Sequence, residues 1–443
     1  MRLSTYDSFK NSGVEWLENI PEHWESKRVK NILDSIVGGG TPKTDNAEYW
    51  DGLIPWISPK DMKSDYINSS IDTITEKAIL ESATNLVEIN SILIVVRSGI
   101  LKHTLPVAIN TVPVAINQDL KALKPKKEIL ATYLLWCLKG LSGNILALCN
   151  KVGATVDSIE VENLINFTLF IPPNTEQILL SDYLEQKTKA IDKKLSLLKK
   201  KVEYYKELSK SIINEAVCRG LNKDVPLKDS GIEWIGKIPK KWEVRRLKDI
   251  ITKFVGGGTP DTNRNEYWTD FEKEGYLWVS ISDITNAEII TDTNKYITEI
   301  GLKNSSATLI KPNSILYSIY ASLGKVAYSN KPVTTNQAIL ALYENKSKVF
   351  NSYLIYFFKV LEQHINSLGN SNTQNNISLS ILRTIPIAFP SLKEQVEIAE
   401  YLDHKTTTIQ AIIKNITTQI EVLKELRKTL INDVVTGKLK VEA

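Results

Sequence analysis

The chain has 443 residues, enough for two or three domains with their own cores. Its 42% apolar and 24% charged residues are those of a soluble globular protein, which excludes a fibrous or disordered chain. A formal charge of +4 does not by itself mark a nucleic-acid binder, so any basic surface must come from arrangement.

The opening MRLSTYDSFK lacks an apolar segment, so neither a signal peptide nor a transmembrane start is expected there. No stretch approaches ~18 consecutive apolar residues, and no membrane partner is expected. Cys137, Cys149 and Cys218 have no metal-ligand spacing and suggest a reducing cytoplasm; the four histidines (His23, His103, His364, His404) are scattered.

In chain order, the first recognisable elements are Ser12-Gly13-Val14-Glu15-Trp16, Ile20-Pro21, Trp24-Glu25, the turn Gly38-Gly39-Gly40-Thr41-Pro42 and Glu48-Tyr49-Trp50. Strand-like runs follow at Ile92–Val96 and Val114–Ile116, with a short helix expected around Ile129–Leu138. Pro172-Pro173-Asn174 stop the last strand, and Asn174 with Gln177 is read as a loose capping box. A long helix then runs from Glu176 to Arg219, with Gly220 closing it. Along it Leu184, Ile191, Leu198, Tyr205 and Ile212 recur every seven residues, interleaved with Thr188, Leu195, Val202, Ser209 and Ala216, which makes a coiled-coil seam.

Everything then happens again, 218 residues later. Ser230-Gly231-Ile232-Glu233-Trp234, Ile238-Pro239, Trp242-Glu243, Gly256-Gly257-Gly258-Thr259-Pro260 and Glu266-Tyr267-Trp268 keep that offset. It drifts to 222 at Trp278-Val279-Ser280, 223 at Ser314-Ile315-Leu316 and 219 at Asn336-Gln337, and returns to 218 at Phe389-Pro390. A strand is expected at Ile315–Tyr317 and a helix around Tyr353–Val360. Ser391 with Glu394 is a capping box for a second long helix, which Gly437 ends. Its seam is Leu402, Ile409, Ile416, Leu423 and Leu430 with Thr406, Ile413, Ile420, Arg427 and Val434.

The expected architecture is α/β (α+β): two globular domains (residues 1–175 and 223–393) separated by two long antiparallel coiled-coil helices (176–222 and 394–443) in a pseudo-two-fold internal repeat. If the two seams pack on each other the result is a dumbbell. The competing arrangement is two independent domains whose helices pair with other molecules.

Catalytic motifs are nearly missing. Gly38–Thr44 lacks the glycine before Lys43 that a phosphate loop needs, and the second copy has Asp261 there. Pro172-Pro173 follows Ile171, so it is a helix boundary and not an amino-methyltransferase tetrad. Asp61 and Asp283 lack a paired acid and read as structural caps. No metal centre is expected. What remains suits binding. The glycine turns either bring backbone close to a ligand or make a tight strand turn. Ser58, Lys60, Ser280 and Ser282 follow tryptophans at a strand end. Arg97, Ser98, Lys102 and His103 form a basic loop whose second copy carries Tyr320 and Lys325. Thr155 precedes the first rod as Asn372 and Gln374 precede the second. With Thr41, Lys43, Thr259 and Arg264, these are the side-chain types that read base edges and hold phosphates, concentrated where the copies differ.

Taken together, the duplicated S-G-[VI]-E-W, I-P and W-E opening, the G-G-G-T-P turn, the boundaries at Glu176-Gln177 and Glu394-Gln395 and the heptad rods resemble the specificity subunits of Type I restriction–modification systems, over nearly the whole chain. The resemblance implies that each globular part reads one half of a bipartite, interrupted double-stranded DNA site. It implies rods that set the half-site spacing and dock two modification (adenine methyltransferase) subunits, with restriction–translocase subunits completing the complex. The chain itself would be non-catalytic and without a cofactor, S-adenosylmethionine, ATP and magnesium belonging to its partners. Lys43 against Asp261 and Arg97 against Tyr320 forbid carrying a base contact from one copy to the other. The rival readings are a free-standing repressor-like DNA-binding protein and a coiled-coil adaptor.

Overall fold

The computed structural model describes residues 2–151, 155–368 and 376–442. Contacts divide the chain into two compact units, Met1–Lys199 with Thr417–Ala443, and Lys200–Ile416. Each long helix is therefore shared: the first, Asn174–Arg219, and the second, Leu392–Val435, each give one half to each unit.

Unit 1 holds a five-stranded sheet in the order Leu33–Gly38, Leu120–Pro125, Ile92–Val95, Val107–Asn110, Tyr66–Ile67, and a four-stranded one in the order Asp72–Ile74, Trp50–Ile57, Val114–Ile116, Leu86–Val87. Ile92–Val95 is central and wholly buried, which is why it reads as an unbroken apolar run. The helix Ala131–Gly140 covers the first sheet, with Tyr133 to Leu138 all buried. Unit 2 repeats this plan. One sheet runs Ile251–Gly256, Ile339–Glu344, Ile315–Ser318, Val326–Tyr328. The other runs Trp268–Thr269, Tyr296–Ile297, Tyr276–Val279, Val333–Thr335, and the helix Asn351–Leu368 provides the cover. Both expected short helices and the expected strands are present.

The repeated motifs turn out to be one anchoring device, used once per unit. In unit 1, Trp24 is fully buried and its Nε1 donates to Glu176 at the root of the first long helix (3.2 Å). The same carboxylate receives the Tyr6 hydroxyl (2.6 Å) and sits 2.8 Å from His23 Nε2. Burial and this carboxylate push the Tyr6 phenol up. Against the same tryptophan lies Gly437, at the end of the second long helix, with φ of 73°. A Cβ there would fall 2.2 Å from Pro21 Cδ. In unit 2, Trp242 Nε1 donates to Glu394 (3.1 Å), at the root of the second helix, and Gly220, with φ of 74°, packs on Trp242 at the end of the first. In each unit, then, the root of one helix and the end of the other meet on one tryptophan, so the two helix halves run antiparallel.

Glutamine completes the anchor. The Leu130 N–H donates to Gln177 Oε1, and Gln177 Nε2 donates to the carbonyls of Glu128 and Pro172. Gln395 makes the same three bonds with Phe350, Lys348 and Pro390. This corrects the capping box expected from Asn174 and Gln177: the helix begins at Asn174 itself, and the Gln177 amide is buried inside the domain. The Ser391–Glu394 box is present, with Ser391 N–H and Oγ donating to the carboxylate and Ser391 Oγ accepting from Glu394 N–H.

All twenty seam positions are buried or half-buried. Between the helix halves of unit 1, Arg427 makes a two-pronged contact with Asp192 at 3.0 and 3.1 Å. This explains a charged residue in a heptad position. Among the described residues unit 1 has strand pairings that the sheets of unit 2 do not repeat: Tyr66–Ile67 beside Val107–Asn110, and Arg2–Ser4 antiparallel with Lys440–Glu442.

Candidate nucleic-acid interface

The glycine turn owes its composition to the fold. A Cβ on Gly39 would fall 2.1 Å from the Asn117 carbonyl, and one on Gly257 2.1 Å from that of Asn336. Backbone packs on backbone, which only glycine allows. Trp56 Nε1 then donates to Gly40 O (3.0 Å) and Trp50 Nε1 to Lys43 O (3.1 Å). Unit 2 repeats both bonds, from Trp278 to Gly258 (3.2 Å) and from Trp268 to Asp261 (3.1 Å). In each unit the two rings meet edge to face, with centroids 5.3 and 5.0 Å apart. The same frame thus presents exposed Lys43 in one copy and exposed Asp261 in the other. Arg264 stacks over Tyr267 at 5.5 Å, at the place occupied by Asn46 in unit 1.

A second strand turn ties this loop to the basic one. Thr41 Oγ1 donates to Gln118 (2.5 Å) and Thr259 Oγ1 to Gln337 (2.6 Å). Next to Gln118, Asp119 receives Arg97 Nε (2.6 Å), while Asn117 Nδ2 donates to the other carboxylate oxygen (3.0 Å). Ser98 N–H reaches the Asp157 carbonyl, Ser98 Oγ accepts from Ile100 N–H, and Lys102 lies 3.9 Å from the Asp157 carboxylate. The structure thus joins Thr41, Arg97, Ser98, Lys102 and the 155–158 segment through the Asn117-Gln118-Asp119 turn, with His103 and Thr155 exposed nearby in the chain. In unit 2 both members of the ion pair have changed: Tyr320 replaces Arg97 and Ala338 replaces Asp119. Tyr320 bridges to Asn376 and Lys325 pairs with Glu362 at 2.6 Å. Asn372 and Gln374 lie outside the described residues, as do Gly153 and Ala154 beside Thr155.

Other candidates are engaged within the fold. Ser58 is buried, and both its N–H and hydroxyl donate to Asp61. Ser280 does the same with Asp283 and its hydroxyl also meets Ser282. Both aspartates are the structural caps expected. Lys60 donates to Asp72 at 2.7 Å, which raises its pKa. Sequence reasoning passed over Gln118, Gln337 and Asp119; the repeated Asn-Gln dipeptide was the available signal. Burial pushes the Cys137 thiol up to about 12 and those of Cys149 and Cys218 to about 11, so none is a poised nucleophile. Among the described residues no cluster of three or more metal-ligating side chains occurs, and no single helix is long and apolar enough to cross a membrane.

The family model for the Type I restriction modification DNA specificity domain matches residues 21–203 and again 239–422. The chain belongs to this family. It carries two such domains; Trp24, Glu176 and Gln177 of the anchor lie in the first match and Trp242, Glu394 and Gln395 in the second. Among curated relatives it is 37% identical over 209 residues to the EcoR124I/EcoR124II specificity subunit of Escherichia coli, an alignment covering 45% of this chain and 49% of that one. It is 27% identical over 433 residues to the MjaIX specificity subunit of Methanocaldococcus jannaschii, covering 96% and 95%. The fold is similar to a chain from a structure addressing complex assembly and conformational transition of the type I R-M system (TM-score 0.75, 15% identity, 94% and 99% covered). It is also similar to the HsdS subunit of Thermoanaerobacter tengcongensis (TM-score 0.53, 15% identity, 94% and 98% covered).

Proposed function

We propose that this chain is the non-catalytic DNA-recognition subunit of a Type I restriction–modification complex. Residues 1–175 and 223–393 act as target recognition domains, each reading one half of an interrupted double-stranded site. The helical segments 176–222 and 394–443 set the spacing and dock two methyltransferase subunits, with restriction subunits joining them in the cytoplasm. The observation that carries this reading is the duplicated loop frame. It holds Thr41 and Thr259 alike yet presents Lys43 against Asp261 and Arg97 against Tyr320. Identical mounts with different side chains suit two readers of different sequences. Lys43, Arg97, Lys102 and His103 in one unit, and Arg264, Tyr320 and Lys325 in the other, are the side chains proposed to meet DNA. S-adenosylmethionine, ATP and magnesium belong to the partners.

The test is to co-express the chain with its modification subunit and map methylated adenines in the host DNA. A two-part interrupted motif is expected. An active complex that leaves no such motif overturns the reading.

A further inference from the structure

In each unit one strand is broken by an extruded loop at the same register. Trp50 and Ile54 both face Ile74, so Asp51, Gly52 and Leu53 leave the ladder. Trp268 and Tyr276 both face Ile297, and Thr269 still pairs with Tyr296, so residues 270–275 leave it. The drift of the repeat from 218 to 222 falls here and nowhere earlier.

Both loops end in a bare hydrophobe: Leu53 is 99% exposed and Phe271 67%. Neither is a loose tip. Asp51 is held at φ of 58°, a conformation that costs an L-residue about 1 kcal/mol, and a Cβ on Gly52 would fall 2.3 Å from the Ile74 carbonyl. In unit 2 the Phe271 N–H donates to Thr269 Oγ1 (3.2 Å), and its carbonyl accepts from Glu274 N–H (3.1 Å). The short helices packed beside these loops, Glu76–Glu81 and Glu299–Lys303, add exposed Leu80 and Ile300.

Charge decides what such a patch meets. Residues 47–82 hold seven acids against three lysines, and the matching 265–305 hold eight against three, in a chain of formal charge +4. Asp51, Asp270, Glu272 and Glu274 are all exposed on the loops themselves. Carboxylates around a hydrophobe repel a phosphate backbone and suit a protein surface with an apolar socket ringed by lysine or arginine. We infer that loops 50–54 and 268–276 are protein-docking tips, each taking one copy of such a partner. Resting on the function proposed above, that partner is the modification subunit, and the tips are a contact additional to the helices.

The test uses the full chain with its modification subunit. Leu53→Ser and Phe271→Ser should each weaken one of two binding steps, read by calorimetry, by roughly 10-fold. Reversing Asp270, Glu272 and Glu274 to lysine should do the same at unit 2, and added salt should weaken the wild type more than this variant. DNA affinity of the assembled complexes should be unchanged. Because both hydrophobes lie outside the core, thermal midpoints should match the wild type. Unaltered partner affinity in the serine variants overturns the inference, as does normal assembly with weakened DNA binding. If the wild-type chain takes up no modification subunit, the proposed function falls and the inference with it.

Discussion

The two units are built from one plan and differ in how tightly it is executed. At the tryptophan anchor, Glu176 receives a tyrosine, a tryptophan and a histidine, whereas Glu394 receives Trp242 and its own cap Ser391. Gly437 is wedged against Pro21, whereas Gly220 has a softer neighbour in the Trp242 ring edge at 3.1 Å. The seam of unit 1 carries the Asp192–Arg427 pair where unit 2 has Gln410 and Ser209. The roots are kept because each one fixes a domain to two helices at once. The loop tips are free to differ because they touch little of the frame.

The largest asymmetry should come from the terminal glycines. Gly437→Val forces a β-branched side chain into a left-handed residue and into Pro21, and should destabilise unit 1 by about 4 kcal/mol, against roughly 2 for Gly220→Val in unit 2. Urea titration followed by tryptophan fluorescence checks this; equal losses would show that the two anchors are equally tight. Gln177→Ala and Gln395→Ala each orphan buried backbone groups and should cost about 2–3 kcal/mol, alike in the two units. Next comes the reading surface. Arg97→Tyr with Asp119→Ala, which copies unit 2 into unit 1, should change one half of the methylated motif only, with a loss of about 1–3 kcal/mol on the original half-site in a binding titration. A change in both halves would break the assignment of one unit to one half-site.

Two smaller effects separate the units further. Burial tends to raise the Glu394 pKa, but hydrogen bonds from Ser391 and Trp242 overcome it and hold the carboxyl below its ordinary range. A depressed folded-state value adds stability above the unfolded-state pKa and loses it as pH falls through the folded value. Acidification below about pH 4.3 should therefore weaken wild-type unit 2 more steeply than Glu394→Gln, as followed by circular dichroism. Arg427→Ala should cost under ~1 kcal/mol, less at high salt, because the pair is partly exposed.

Much of this could be read in advance. A seven-residue period, an uninterrupted run and Gly220 and Gly437 placed both helix starts within two residues and the ends beside those glycines, since those signals are local, but the tail of the expected segment 394–443 is not helical: Lys440–Glu442 is a strand. Asp61 beside Ser58 and Asp283 beside Ser280 were readable as caps for the same reason. Gln177 misled because its spacing from Asn174 mimics a capping box, while its partners at Glu128 and Leu130 lie far back in the chain. The Thr41–Gln118 and Arg97–Asp119 links were hidden likewise: they join loops that only the sheet order brings together.

The division of the helices has a consequence for synthesis. Unit 2 is one continuous stretch, Lys200–Ile416, whereas unit 1 needs Thr417–Ala443 as well. On a ribosome adding ~5–20 residues per second, the first globular part emerges about 13–53 s before the helix half and the Lys440–Glu442 strand that finish it. Unit 2 is completed first, although it begins second. Through that interval Trp24 has its glutamate but not its glycine, and nascent unit 1 is the half that a chaperone or a protease would meet.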